Sequence, residues 1–246
     1  MRLTLSSQQK NDEMNHLLFS ANMKLADMIL ANYKLLTVLS CFNIHLGFGE
    51  QSVKEVCKQY DIPVSFFLLV CNVHTYPEYL PGEEELMSLD IDCLISYLQS
   101  SHQYYMSDKI GTIEKNLQDM SCHCEPQHRN VLQTFFNGYK NEVVSHFKYE
   151  EETVFPYIRG LMQKNATVNY HINQFEENHT NIEEKLSDLK NIIIKYLPDS
   201  CASKEQNDVL FEIFLFEEEI NTHTLIEDRI LIPFVQEIEK KYGERK

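Results

Sequence analysis

Apolar residues recur every three or four positions from Asp90 onward, which is the spacing of one buried helix face. The pattern predicts four long helices, over residues 90–118, 127–161, 168–196 and 205–241. Short breaks with turn-forming residues separate them, at Pro126, at 165–167 and at 197–200. Because short connections join antiparallel neighbours, the sequence predicts an all-α fold with an antiparallel up-and-down four-helix bundle.

The first part of the chain shows a different pattern, with shorter helical stretches interrupted by glycine and proline. These stretches are predicted at 22–40, 51–59 and 64–73. Residues 76–83 contain two prolines and a glycine, so we interpret them as a linker. We therefore place a boundary near Glu84, with a small helical N-terminal domain over 1–84 and the bundle over 85–246.

Composition and charge narrow the classes of partner. The chain has 246 residues, is 43% hydrophobic and carries a formal charge of -15, which disfavours nucleic acid and anionic membranes. Its longest apolar run is too short to cross a bilayer, and residues 1–10 lack the apolar stretch of a signal peptide, so we expect a cytoplasmic protein. Seven cysteines without regular spacing favour reduced thiols over a disulfide framework.

Several histidines, glutamates and prolines repeat at a fixed offset. Two histidine pairs, two further glutamate pairs and one proline pair are each separated by 77 positions, and they are His102/His179, His146/His223, Glu142/Glu219, Glu150/Glu227 and Pro156/Pro233. The pattern E-x3-H-x3-E-x5-P therefore occurs twice, which indicates an internal repeat.

Helix geometry places the repeated side chains on the apolar faces. Residues four apart share one face, so each His-x3-Glu pair aims an imidazole and a carboxylate the same way. Six ionisable groups buried without partners would cost several kcal/mol each, whereas two transition-metal ions would satisfy them together. The predicted metal ligands are His102, His146, Glu150, His179, His223 and Glu227.

Other polar groups are weaker candidates. Glu142 and Glu219 lie one turn before the ligand histidines. They would either partner an imidazole or lie on the entry path to the metals, or they would form a solvated or salt-bridged face. Glu183, one turn beyond His179, is either an extra ligand or part of a solvated face. The Cys122-x-Cys124 pair lacks the second pair that a structural zinc site requires.

The bundle resembles hemerythrin-type cation-binding domains, and nearly the whole chain resembles the di-iron family that repairs iron-sulfur clusters. Segments 146–156, 177–180 and 223–233 are similar to the family's ligand motifs on its last three helices, and His102 lies where its first-helix ligand does. The resemblance implies two non-haem iron ions, joined by an oxo or hydroxo bridge and by the two glutamates. Manganese is the less favoured metal.

Two departures from that family pattern stand out. Residues 42–57 resemble its short N-terminal domain, but Gly47-Phe48 replaces the usual cysteine pair, so no thiol role is carried over. Asn178 precedes His179 where the family usually has glutamate, which removes a carboxylate suited to proton relay.

The resemblance implies repair of iron-sulfur clusters damaged by oxidative or nitrosative stress, by iron donation or by nitric oxide or oxygen chemistry. The partners of this chain would be damaged iron-sulfur proteins and the gases NO and O2. The N-terminal domain is a candidate surface for homodimerisation or for client contact. The alternative is hemerythrin-like binding or sensing of O2 or NO, against which Glu183 occupies the position of a further histidine ligand. A carboxylate-type di-iron oxidase is a third, weaker hypothesis, and the sequence leaves enzymatic turnover open.

Overall fold

The computed structural model describes residues 18–163, 170–178, 182–201 and 204–243. In these ranges the regular structure is helical, with one isolated backbone bridge between Lys24 and Ser52. The all-α prediction is confirmed. The chain divides into two compact units, one ending at Leu94 and the other beginning at Ile95. The predicted domain boundary near Glu84 stays a prediction.

The first unit contains short helices that pack on one another. They are α1 (Leu25–Ala31), α2 (Leu35–Cys41), α3 (Val53–Gln59), α4 (Val64–Thr75) and α5 (Glu83–Met87). A capping box starts α3, since the side chains of Ser52 and Glu55 each accept a hydrogen bond from the other's backbone amide. This cap satisfies amides that the first helical turn would otherwise leave without partners.

One predicted helix of this unit, over 22–40, is wrong in its extent. The structure breaks it between α1 and α2, where Asn32 has an extended backbone. The Asn32 side-chain oxygen accepts a hydrogen bond from the Lys34 amide at 3.1 Å, and its nitrogen donates to Thr75 Oγ1 at 2.9 Å. Asparagine often ends helices in this way, because its short side chain competes for backbone hydrogen bonds.

The four long helical stretches that the sequence predicted lie in the second unit, except for residues 91–94 at the start of the first stretch. Each combines α-helix with one widened π turn. The first runs through α6 (Ile91–Tyr104), π1 (Tyr105–Lys109) and α7 (Ile110–Ser121). The second runs through α8 (Pro126–Tyr149), π2 (Glu150–Val154) and α9 (Phe155–Met162). The third includes α10 (Asn173–Asn178), α11 (Ile182–Asn191) and π3 (Ile192–Tyr196), and the fourth α12 (Glu205–Ile226), π4 (Glu227–Leu231) and α13 (Ile232–Gly243).

Neighbouring stretches pack in a closed ring. Helix α7 contacts α8 and α12, and α11 contacts the same two helices. Short segments at 122–125 and 197–204 separate consecutive helical stretches, so the stretches on either side of each segment run antiparallel. Aromatic residues such as Tyr139, Phe147 and Phe216 fill the centre. This arrangement is the predicted up-and-down bundle.

The repeated prolines account for two of the π turns. Pro156 and Pro233 have no amide hydrogen, and their rings prevent the preceding turn from keeping regular α-helical geometry. The Glu150 carbonyl accepts a hydrogen bond from the Phe155 amide five residues later, and the Glu227 carbonyl accepts from Ile232 in the same way. Such single π turns often occur at functional sites. Here each begins at a predicted metal ligand.

The structure corrects the expectation of reduced thiols for two of the seven cysteines. Cys124 and Cys201 form a disulfide, with Cα atoms 4.6 Å apart and a sequence separation of 77. This separation equals the offset of the histidine repeat, a signal that the sequence contained. The disulfide links the connection before α8 to the one before α12, and it removes Cys124 from any zinc site.

Candidate metal centre

Two imidazoles face each other in the buried interior of the bundle. His102 lies near the end of α6 and His223 near the end of α12, and each is only 3% exposed. Their Nε2 atoms are 3.3 Å apart. The flat ring of Phe147 stacks on His102 with the ring centres 4.0 Å apart, so apolar packing holds this imidazole in place.

Glu150 connects two of the histidines through its two oxygens. Its Oε2 lies 2.9 Å from His102 Nε2, and its Oε1 lies 2.5 Å from His146 Nε2. The Glu150 carboxyl is fully buried, whereas the His146 side chain is 14% exposed. A carboxylate whose two oxygens face different imidazoles is placed to bridge two cations.

Glu227 completes the buried cluster from the fourth helical stretch. Its Oε1 lies 3.4 Å from His223 Nε2, and its side chain is fully buried. One ligand atom from each of His102, Glu150, His223 and Glu227 lies within 4.8 Å of the other three. Four side chains from three helical stretches therefore converge on a volume the size of a metal site.

The outer nitrogens of the facing imidazoles have different partners. His102 Nδ1 lies 2.9 Å from Glu151 Oε1, and His223 Nδ1 lies 3.0 Å from Ser101 Oγ. The Ser101 hydroxyl donates its own hydrogen to the Leu98 carbonyl at 2.7 Å, so it accepts the hydrogen of His223. These partners favour hydrogen on Nδ1 of both imidazoles, with Nε2 directed into the cluster.

This donor set fits a metal ion. Two imidazole Nε2 atoms 3.3 Å apart and two buried carboxyl groups form an electron-rich cluster, which a cation between them would stabilise. Imidazole nitrogen and carboxylate oxygen together suit iron, manganese or zinc. Among the described residues, the cluster contains no cysteine, so its donors are imidazole nitrogen and carboxyl oxygen.

The acid-base properties of the cluster agree with its geometry. Burial, and next the nearby Glu227 carboxylate, raise the pKa of Glu150 well above its usual value. Burial, together with neighbouring His223, lowers the pKa of His102 well below its usual value. Both shifts disfavour charge on these buried groups when no cation is near, and a bound cation would favour the ionised carboxylate.

The structure describes the side chains of only some of the other candidate residues. His179 lies outside the described residues, as does the side chain of Glu183. Glu219 Oε1 forms an ion pair with Lys109 Nζ at 3.0 Å, which agrees with the salt-bridged alternative for this position. Glu142 is partly buried, one turn before His146.

Sequence reasoning missed the two residues that orient the imidazoles. Ser101 immediately precedes His102 but binds His223, a contact between residues 122 positions apart. Glu151 follows the predicted ligand Glu150 and binds His102 across 49 positions. Helix periodicity assigns a face to each residue but does not give the partner on another helix, so no sequence signal identified these contacts.

Comparison with known proteins agrees with the fold and the site. The hemerythrin HHE cation binding domain family matches residues 98–235, more than half of the chain and a range that includes all six predicted ligands. The chain is similar to the iron-sulfur cluster repair protein ScdA of Staphylococcus haemolyticus (strain JCSC1435), at 22% identity over 188 residues, 74% of this chain and 83% of that protein.

Of the helices that the structure describes, none is long and apolar enough to cross a bilayer.

The buried His and Glu cluster and the family match both indicate a metal site, and the predicted resemblance to the iron-sulfur cluster repair family is confirmed. The chain belongs to the hemerythrin HHE cation-binding domain family.

Proposed function

We propose that this chain is a non-haem di-iron protein that takes part in the repair of damaged iron-sulfur clusters. Its clients would be iron-sulfur proteins, and NO and O2 would be its small ligands. The similarity to an iron-sulfur cluster repair protein supports this activity. The observation that carries the proposal is the convergence of His102, Glu150, His223 and Glu227 in a buried, paired-imidazole cluster.

The proposed ligands are the six residues predicted from the repeat. His102, Glu150, His223 and Glu227 form the central cluster, and His146 extends it through Glu150 Oε1. Glu150 would bridge two ions, because its oxygens face His102 on one side and His146 on the other. His179 would complete the set, as the 77-residue repeat pairs it with His102.

When bound, a ferrous pair would supply electrons, an open coordination position for a gas, and iron that a damaged cluster can accept. The chain's own residues would surround and orient the ligands of this pair. Phe147 and Phe155 lie nearly parallel to the His102 ring and pack apolar surface against it. Glu151 and Ser101 hold the outer imidazole hydrogens, so that both inner nitrogens are available to metal. Bound metal would favour the ionised form of the buried Glu150 carboxyl, whose pKa is raised by burial.

Reversible binding or sensing of O2 or NO is the second candidate function. The hemerythrin HHE family match supports it as much as it supports repair. Glutamate at position 183, in place of a further histidine, favours repair, because fewer imidazoles and more carboxylates make bound iron easier to transfer.

A reconstitution assay separates the two functions. Iron-loaded protein is mixed anaerobically with a [4Fe-4S] enzyme inactivated by nitric oxide, and recovery of the enzyme's activity is followed. We expect faster recovery than with the same concentration of free ferrous iron, and no acceleration with the His146→Ala variant. A stable, reversible gas complex without any recovery of the client enzyme would favour the sensing function and contradict repair.

A further inference from the structure

An open cleft on the bundle surface reaches one of the two facing imidazoles. Its volume is about 490 Å³, and it lies between α6 and α8. Apolar walls are formed by Met106, Val144 and Phe147, and His102 lies at its inner end. His223, by contrast, does not line this cleft, and its partner Ser101 is only 1% exposed.

Polar groups occupy the outer part of the cleft. Gln99, Gln103, Lys148, Glu151 and Glu152 line it, and the Glu151 side chain is 42% exposed. Amide and carboxylate oxygens can replace water molecules as ligands of a divalent cation. Glu151 thus faces solvent on one side and accepts a hydrogen bond from His102 Nδ1 on the other.

We propose that metal enters and leaves through this cleft, and that Glu151 positions His102 at its inner end. The inference rests on the proposed metal centre and adds the route and the residue that controls it. The two halves of the centre are then unequal, because His102 is held by the Glu151 carboxyl, which is 42% exposed, whereas His223 is held by a buried hydroxyl. A carboxylate partner also makes the imidazole a stronger ligand than a hydroxyl partner does.

Filling the cleft tests the route. Val144 is 40% exposed and lines the cleft, so Val144→Trp would obstruct it without changing any proposed ligand. Leu215 is a matched control, since it is 37% exposed and lines a separate surface groove on α12 with Phe211 and Phe214. Full-length protein is loaded anaerobically with ferrous iron, and its loss to excess ferrous chelator is followed optically.

We expect Val144→Trp to slow iron loss severalfold with unchanged iron content, and Leu215→Trp to match the wild type. Equal rates in all three proteins would overturn the route. Gln103→Trp fills the same cleft from an exposed position of α6 and provides the second test if Val144→Trp does not fold.

The positioning role of Glu151 has its own readout, in metal-free protein. Nitrogen-15 NMR of labelled histidines reports which imidazole nitrogen carries hydrogen. We expect the Nδ1–H form for His102 in wild type and in Glu151→Gln, whose amide oxygen still accepts, and a shift toward the Nε2–H form in Glu151→Ala. Iron loss should be about tenfold faster in Glu151→Ala.

The outcomes separate this inference from the proposed function. Unchanged His102 hydrogen position and unchanged iron loss in Glu151→Ala would overturn the role of Glu151 while leaving a loaded metal centre intact. Failure of wild-type protein to bind iron would instead remove the proposed function and the route together.

Discussion

The Nε2 atoms of His102 and His223 lie 3.3 Å apart, with the outer nitrogen of each ring already hydrogen-bonded. Two imidazole nitrogens therefore face each other inside an apolar bundle. Glu150 Oε2, 2.9 Å from His102 Nε2, adds a third electron-rich atom. A cation at this position would be coordinated by all three atoms, so the polar cluster is best explained as a metal site.

Replacing a proposed ligand should remove metal. We expect His146→Ala and Glu227→Leu each to lose at least one metal ion per chain, because each replacement removes a donor that no described neighbour replaces. His171→Ala is the control, since its side chain is 75% exposed and lies outside the cluster. Metal content is measured by mass spectrometry of the purified proteins. Two retained ions in both ligand variants would disprove the assignment.

Removing the metal should destabilise the second unit. Metal that binds the native state only adds about 4 kcal/mol of stability at a free concentration of 1,000 times Kd. Metal-free protein should therefore keep its helical circular dichroism but melt at a lower temperature, and added ferrous iron should restore the melting temperature. The His146→Ala variant should recover less. Identical melting with and without metal would show that the buried cluster does not bind it tightly.

The free cysteines should differ widely in reactivity. Burial raises the pKa of Cys57 to about 12, so almost none of it is thiolate at pH 8, whereas Cys122 is exposed. We expect iodoacetamide to modify Cys122 first and Cys57 only after unfolding, as read by peptide mass spectrometry. Equal labelling rates would contradict the buried position of Cys57.

Cys41→Ser and Cys57→Ser should also leave the optical spectrum of the metal unchanged.

The disulfide should stabilise the bundle under oxidising conditions. Cys124 and Cys201 are 77 residues apart, and closing a loop of this length stabilises the native state by up to about 4 kcal/mol through the unfolded chain. Wild-type protein should unfold at a lower denaturant concentration after reduction, and Cys124→Ser should show no dependence on reductant. Cys122→Ser is the control, because Cys122 is a free thiol two residues away. A reductant effect that persists in Cys124→Ser would point to another cysteine pair.

The four long helical stretches could be predicted because their apolar period extends over some thirty residues and the breaks contain strong turn signals. The 77-residue offset likewise pointed to His102, His146, Glu150, His223 and Glu227, which the structure brings together in one region of the bundle. Repetition identified these residues because the same local geometry occurs on both halves of the bundle.

Other features depended on contacts that the sequence pattern does not encode. At the break between α1 and α2, the Asn32 side chain donates a hydrogen bond to Thr75, 43 positions away. The imidazole partners Ser101 and Glu151 depend on which helices are neighbours and on their rotation. The disulfide, however, shared the repeat offset, so comparing cysteine positions with the histidine offset would have predicted it.

Metal analysis of protein purified without added metal, combined with its optical spectrum, tests the proposed centre most directly. We predict two iron ions per chain, with the near-ultraviolet absorption of an oxo-bridged ferric pair that disappears on anaerobic reduction. One zinc ion per chain, or no metal after anaerobic incubation with ferrous iron, would contradict the di-iron centre and the repair function that depends on it.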